Sequence, residues 1–135
     1  MKKIACAVLA ALLLLLCACS PSKTIGIPGG YVECDEHIDK GKIQDFADYA
    51  RYVYPNADFF EQSTEYRRVV EKTVQTIKDC FADFKEQVPE FSFDESCIGE
   101  GDFVRIRMEG ENFENYTVFF FDTDTLTLYY IHHKD

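Results

Sequence analysis

Residues 103–133 read FVRIRMEGENFENYTVFFFDTDTLTLYYIHH, and the fold is decided there. From Phe103 to Glu109 the side chains alternate. Val104, Ile106 and Met108 share one side, while Phe103, Arg105 and Arg107 share the other. Tyr116 to Phe121 and Leu126 to His132 are dense in aromatic and β-branched residues, the types that suit a pleated surface. Turn residues separate these runs: Gly110-Glu111-Asn112 and Asp122-Thr123-Asp124-Thr125. A period of two, interrupted by short polar turns, predicts antiparallel strands joined by hairpins. One turn further upstream, Gly99-Glu100-Gly101-Asp102, precedes this stretch. Before it, Phe91 and Phe93 alternate with polar neighbours. The reading is a four-stranded antiparallel meander.

Upstream of Pro89 the period changes. Tyr66, Val69, Val70, Val74, Ile77, Cys80, Phe81, Phe84 and Val88 fall on one stripe at helical spacing. Asp58 and Glu61 have capping-box spacing, so a helix is predicted from there to about Gln87. Before it, Ile43, Phe46, Ala47, Ala50, Val53 and Tyr54 fill another stripe, and Pro55-Asn56 would end that helix. Helices first and strands after make an α+β order. The expectation is two N-terminal helices followed by a four-stranded antiparallel meander, in a single domain at 38–135. Its element order is similar to that of cystatin-like and NTF2-like small domains, a likeness that carries no functional residue.

The start of the chain reads as an address. Lys2 and Lys3 precede an apolar run from Ile4 to Leu16, shorter than a comfortable membrane span and suited to a signal peptide. Then come Leu16-Cys17-Ala18-Cys19 and Ser20-Pro21-Ser22. This resembles the lipobox of bacterial lipoproteins, a leucine and two further residues before a cysteine that receives the lipid. The resemblance covers about the first 20 residues. It implies a leader at 1–18, lipidation of Cys19 and attachment to the cell membrane facing outside the cytoplasm. Residues 19–37 are then the lipidated N-terminus and tether, with Ser20–Gly30 small, Pro- and Gly-containing and aperiodic.

Charge limits the partners. The 135 residues carry 24 acidic against 14 basic side chains, a net charge of -10. Loss of Lys2 and Lys3 with the leader takes the domain to -12. Nucleic acid, which demands a basic face, is excluded as a partner. Repulsion from anionic headgroups predicts a domain standing off the bilayer.

Six cysteines are present, and Cys34, Cys80 and Cys97 remain once the leader and the lipidated residue are set aside. Cys80 falls on an apolar arc and reads as buried. Cys34 and Cys97 lie in turn-like contexts. The pair Cys34–Cys97 is one expectation, worth about 3–4 kcal/mol if closed, and three thiols are the other. No C-x-x-C suggests a redox site.

Two surfaces stand out for binding. In a meander, alternate turns share one end of the sheet, so Glu100, Asp102, Asp122 and Asp124 are expected to gather. They would serve a cation, a basic partner or simply the turns themselves. The second surface is a sheet face bearing Phe103, Arg105, Arg107, Phe119, Phe121 and Tyr129. Strands apolar on both sides are either buried on both faces or leave one partly open. His132 and His133 point to opposite faces and cannot grip one metal. His37 with Cys34 and Asp35 lacks a second ligand pair, so no metal and no cofactor are expected. No G-x-S-x-G, H-E-x-x-H, phosphate loop or dinucleotide fingerprint occurs. The expectation is a lipid-anchored, non-catalytic interaction module with an envelope or secreted protein as partner. The alternative is a small cell-surface hydrolase acting on cell-wall or peptide material.

Overall fold

Alternation builds most of this molecule, and more of it than the sequence suggests. The computed structural model describes residues 26–38, 46–110 and 114–135. In chain order the elements are strand β1 (Glu33–His37), strand β2 (Phe46–Val53), short helix α1 (Asp58–Gln62), two-residue strand β3 (Arg67–Arg68), helix α2 (Glu71–Gln87), a 3-10 turn (Glu95–Cys97), and strands β4 (Phe103–Glu109), β5 (Asn115–Asp122) and β6 (Thr127–Lys134). The strands form one six-stranded sheet in the order β1-β2-β6-β5-β4-β3. Every neighbouring pair is antiparallel.

The β4-β5-β6 hairpins form where the turns predict them. Phe103 lies opposite Phe121 and Arg105 opposite Phe119. Phe119 in turn lies opposite Tyr130. Directly opposed residues share a face, so this register sorts the side chains into two layers. One layer, under α2, holds Val118, Phe120 and Ile131, packed by Ile77, Cys80, Phe81 and Phe84 of the helix. The other layer holds Phe103, Phe119, Phe121, Leu128 and Tyr130, covered by Phe60 of α1 and by Tyr66. Phe60 stacks on Phe121 at 3.7 Å between ring centroids. Both faces of the central strands are therefore interior, as their near-continuous apolar composition requires.

Two N-terminal helices over four strands is not the architecture. The stretch expected as the first helix is β2, hydrogen-bonded into the sheet between β1 and β6. Ala50, Tyr52 and Tyr54 bury toward the α1 face, and Asp48 with them. A buried Asp48 within that alternation, and apolar Tyr49 and Val53 outside it, disguise the period of two. Three tyrosines in six residues are nonetheless strand-like.

The expected continuous helix from Asp58 to Gln87 is broken. The Ser63 hydroxyl accepts from the Glu65 and Tyr66 backbone N–H groups, a local turn that competes with helix. The reason is topological. Phe60 and Tyr66 serve one face of the sheet, whereas Phe81 and Phe84 serve the other. The chain crosses from face to face around the edge of β4, and β3 is the crossing. Phe91 and Phe93 form no strand. They are buried, and Phe93 stacks on Phe81 at 4.1 Å, so their alternation serves an aromatic cluster rather than a ladder. The likeness of element order to cystatin-like and NTF2-like domains falls with the helices that carried it.

The folded unit also begins earlier than residue 38. β1 pairs along β2 from Glu33 to His37. Ile27 and Tyr31 pack against the α1-face core, and the Tyr54 hydroxyl donates to the Pro28 carbonyl at 2.7 Å. Cys19 and the leader expected at 1–18 lie outside the described residues. No helix among the described residues is long and apolar enough to cross a membrane.

Candidate functional site

The acidic turns do come together, but they are bonded into the turns themselves. Asp102 is buried. Its Oδ1 accepts from the Thr123 N–H at 3.0 Å and from the Thr123 hydroxyl at 2.9 Å, while Oδ2 accepts from the Gly99 N–H at 3.0 Å. One carboxylate thus ties the 99–102 turn to the 122–125 turn. Asp122 is likewise buried and accepts from the Asp124 N–H and the Thr125 hydroxyl. Glu100 reaches the first backbone N–H of α2, at Glu71, where the helix dipole favours negative charge. No group of three or more potential metal ligands occurs among the described residues.

The expected aromatic face is interior. Phe103, Phe119 and Phe121 are buried under α1. Arg105 lies over the Phe119 ring, 5.3 Å from its centroid, and its Nη1 donates to Glu65 Oε2 at 2.9 Å. Tyr129 belongs to the opposite face, because it lies across from Phe120 and meets Phe93 edge-on at 4.8 Å. Of the six residues expected to form one contact surface, only Arg107 is exposed.

Cys34 and Cys97 lie on opposite faces. Cys34 lies across from Tyr52, on the α1 side, whereas Cys97 packs with the core under α2. The sheet stands between them, and no bridge joins this pair. Burial, reinforced by the carboxylates of Asp122, Asp102 and Asp94, pushes the Cys97 thiol up to about 12. Burial also pushes Cys80 up to about 11. Neither is a nucleophile near neutrality. His132 and His133 do point to opposite faces. Desolvation holds His132 below its ordinary range, against the pull of Asp48 and Glu109.

What the surface offers lies at the rim of the sheet. One groove of ≈ 780 Å³ runs between β2 and the 90–92 segment. Asp35, His37, Arg51, Glu90 and Ser92 are among its lining residues. There His37 Nε2 sits 3.0 Å from Asp35 Oδ1, and the imidazole stacks on Tyr49 at 4.5 Å. A second groove, of ≈ 750 Å³, lies between β4 and the start of α2. Its lining brings Arg67 and Lys72 together beside Val70 and Ile106, while Arg68, opposite Phe103, turns its guanidinium over that ring on the other face, 4.8 Å from the centroid, and donates to the Gly101 carbonyl. The Thr73 hydroxyl fixes its helical wall, accepting from the Val70 N–H and donating to the Val70 carbonyl. On a continuous helix Arg68 and Lys72 would be an ordinary solvated face. The break at Ser63 and the crossing strand β3 instead set Arg67 and Lys72 along one groove, and the only sequence signal was the adjacent pair Arg67-Arg68 in an acidic chain.

No family model matches the chain, and no curated protein or solved structure matches it.

Proposed function

We propose that the chain is a lipid-anchored, extracytoplasmic binding module without catalysis, held at the cell membrane through Cys19 and engaging an envelope or secreted protein. The observation that carries the binding part is the groove lined by Arg67 and Lys72 on a chain of net charge -10. Positive charge concentrated against the sign of the whole steers association with a partner of complementary potential. The lipobox-like Leu16-Cys17-Ala18-Cys19 supports the anchor. Six residues lie between Cys19 and Gly26, where the described residues begin, and at about 3.3–3.6 Å per residue the seven steps reach at most roughly 25 Å. The domain is thus held near the bilayer rather than far above it.

Palmitate labelling of the full chain in a bacterial host tests the anchor. Label and membrane retention are expected for the parent and lost in Cys19→Ser. Unchanged labelling in Cys19→Ser would contradict the assignment.

A surface hydrolase is the second reading, favoured by Asp35, His37 and Ser92 lining one groove. No hydrogen bond joins Ser92 to His37 among the described residues, and the His37 and Asp35 side chains are 50% and 62% exposed. Such exposure gives little of the desolvation that activates a nucleophile. Turnover of ester or peptide substrates that disappears in Ser92→Ala would establish this reading over the binding one.

A further inference from the structure

The edge of β4 beside the basic groove is open. Among the described residues β3 pairs only with Phe103 and Val104. From Arg105 to Glu109 no strand lies outside β4 among the described residues. The direction of its backbone groups follows from one bond. The Asp102 carbonyl accepts from Val69 N–H on the β3 side. Backbone groups alternate sides along an antiparallel strand, so Ile106 and Met108 turn their N–H and C=O groups outward. Met108 is 38% exposed, toward the open end of a strand whose first residues, Phe103 and Val104, are buried. Proteins usually cover or blunt such an edge, because it templates pairing.

Resting on the binding-module reading, we infer that this edge takes an extended, acidic segment of a partner protein as a seventh strand, continuing the line of β3. Main-chain bonds to Ile106 and Met108 supply the pairing, as in other strand-addition complexes. Arg107 on the α1 face of the strand, and Arg67 and Lys72 by the groove on the α2 face, flank the edge from both sides and supply the preference for acid; the groove's carboxylate, Glu65, is held by Arg105. A second copy of this chain is the poorer occupant. Edge-to-edge pairing centred on the open stretch sets Arg107 against Arg107 and joins two molecules of net charge -10.

The test uses the full chain in neutral detergent micelles and a labelled octapeptide repeating Glu-Glu-Val-Val, which presents glutamate on both faces of an added strand. Saturable binding is expected, weakening as salt rises. The amides of Ile106 and Met108 should become protected from hydrogen exchange when the peptide is present. Met108→Pro, which removes an outward N–H at an edge where proline is tolerated, should weaken binding by about tenfold. The double variant Lys72→Glu, Arg107→Glu leaves the backbone intact and should weaken it at least as much. A lysine–valine peptide should not bind. The inference is overturned by no peptide binding, by binding indifferent to both variants, or by protection elsewhere. It is equally overturned by phosphatidylglycerol micelles or a second copy protecting the same amides while the peptide does not. Crosslinking in cells separates the two levels. A partner captured equally by parent and variants leaves the module reading standing and removes the edge; no partner with either removes both.

Discussion

Single side chains decide whether the acidic turns are a working surface or scaffolding. Asp102 satisfies three donors from two different turns. Replacing it with alanine strands Gly99 and Thr123 and should cost about 2–4 kcal/mol of stability. Asp124→Lys, on an exposed position, should stay within about 0.5 kcal/mol. Urea unfolding of the two variants checks this. Equal, small effects would return the acidic end to the list of docking surfaces. Two buried tyrosines make a second contrast. The Tyr116 hydroxyl donates to Asp83 at 2.7 Å, whereas the Tyr66 hydroxyl is buried without a partner among the described residues. Tyr116→Phe is expected to destabilise by about 1–2 kcal/mol. Tyr66→Phe should be neutral or stabilising, because it deletes an unsatisfied group. The same urea curves read both.

Elements follow their local pattern only where one face has one neighbour. β4, β5 and β6 were legible because their alternation, aromatics and turns agree. α2 was legible from Val74 to Phe84, where one stripe meets one sheet face. β2 was not, since Phe46, Ala47, Ala50 and Val53 fit helical spacing as well as the real alternation does. The break at Ser63 was hidden because Tyr66 and Val69 extend the stripe arithmetically while serving opposite faces of the sheet. The candidate groove was hidden for the same reason, being a product of that break. The N-terminal segment lacks any period, yet it is tied down. Gly26 has φ +92°, and a Cβ there would come within 3.3 Å of Arg105 Nη1 and Phe119 Cζ. Gly26→Ala should therefore cost about 1–2 kcal/mol. Gly29→Ala, with nothing within 4 Å, should cost little or stabilise slightly. Thermal melts of the two would reveal whether the segment is part of the fold or only a tether.

At the scale of the whole molecule, an interior crowded with tyrosines and thiols sets the alkaline limit. Burial is the first cause holding the hydroxyls of Tyr54, Tyr66, Tyr116 and Tyr130 above their ordinary value of 10.0. Cys80 and Cys97 are raised from 9.0 to about 11 and about 12. Groups raised in the folded state bind protons there after the unfolded chain has lost them. Their stabilisation is complete below the unfolded value and is lost as pH rises toward the folded one. Stability should hold up to about pH 9, fall first through the thiols and then more steeply above 10 through the tyrosines. A flat urea midpoint from pH 8 to 11 would contradict the burial pattern.

The same scale holds the central claim, a membrane-held module that binds a protein along one edge of its sheet. Photo-crosslinking in living cells, with a photoreactive residue at position 108 and separately at exposed Phe59 on α1, tests it most directly. One dominant adduct is expected from position 108, mapped to an extended acidic segment of an envelope or secreted protein, and none from position 59. An adduct from position 59 with none from 108, or no adduct from either, would contradict it.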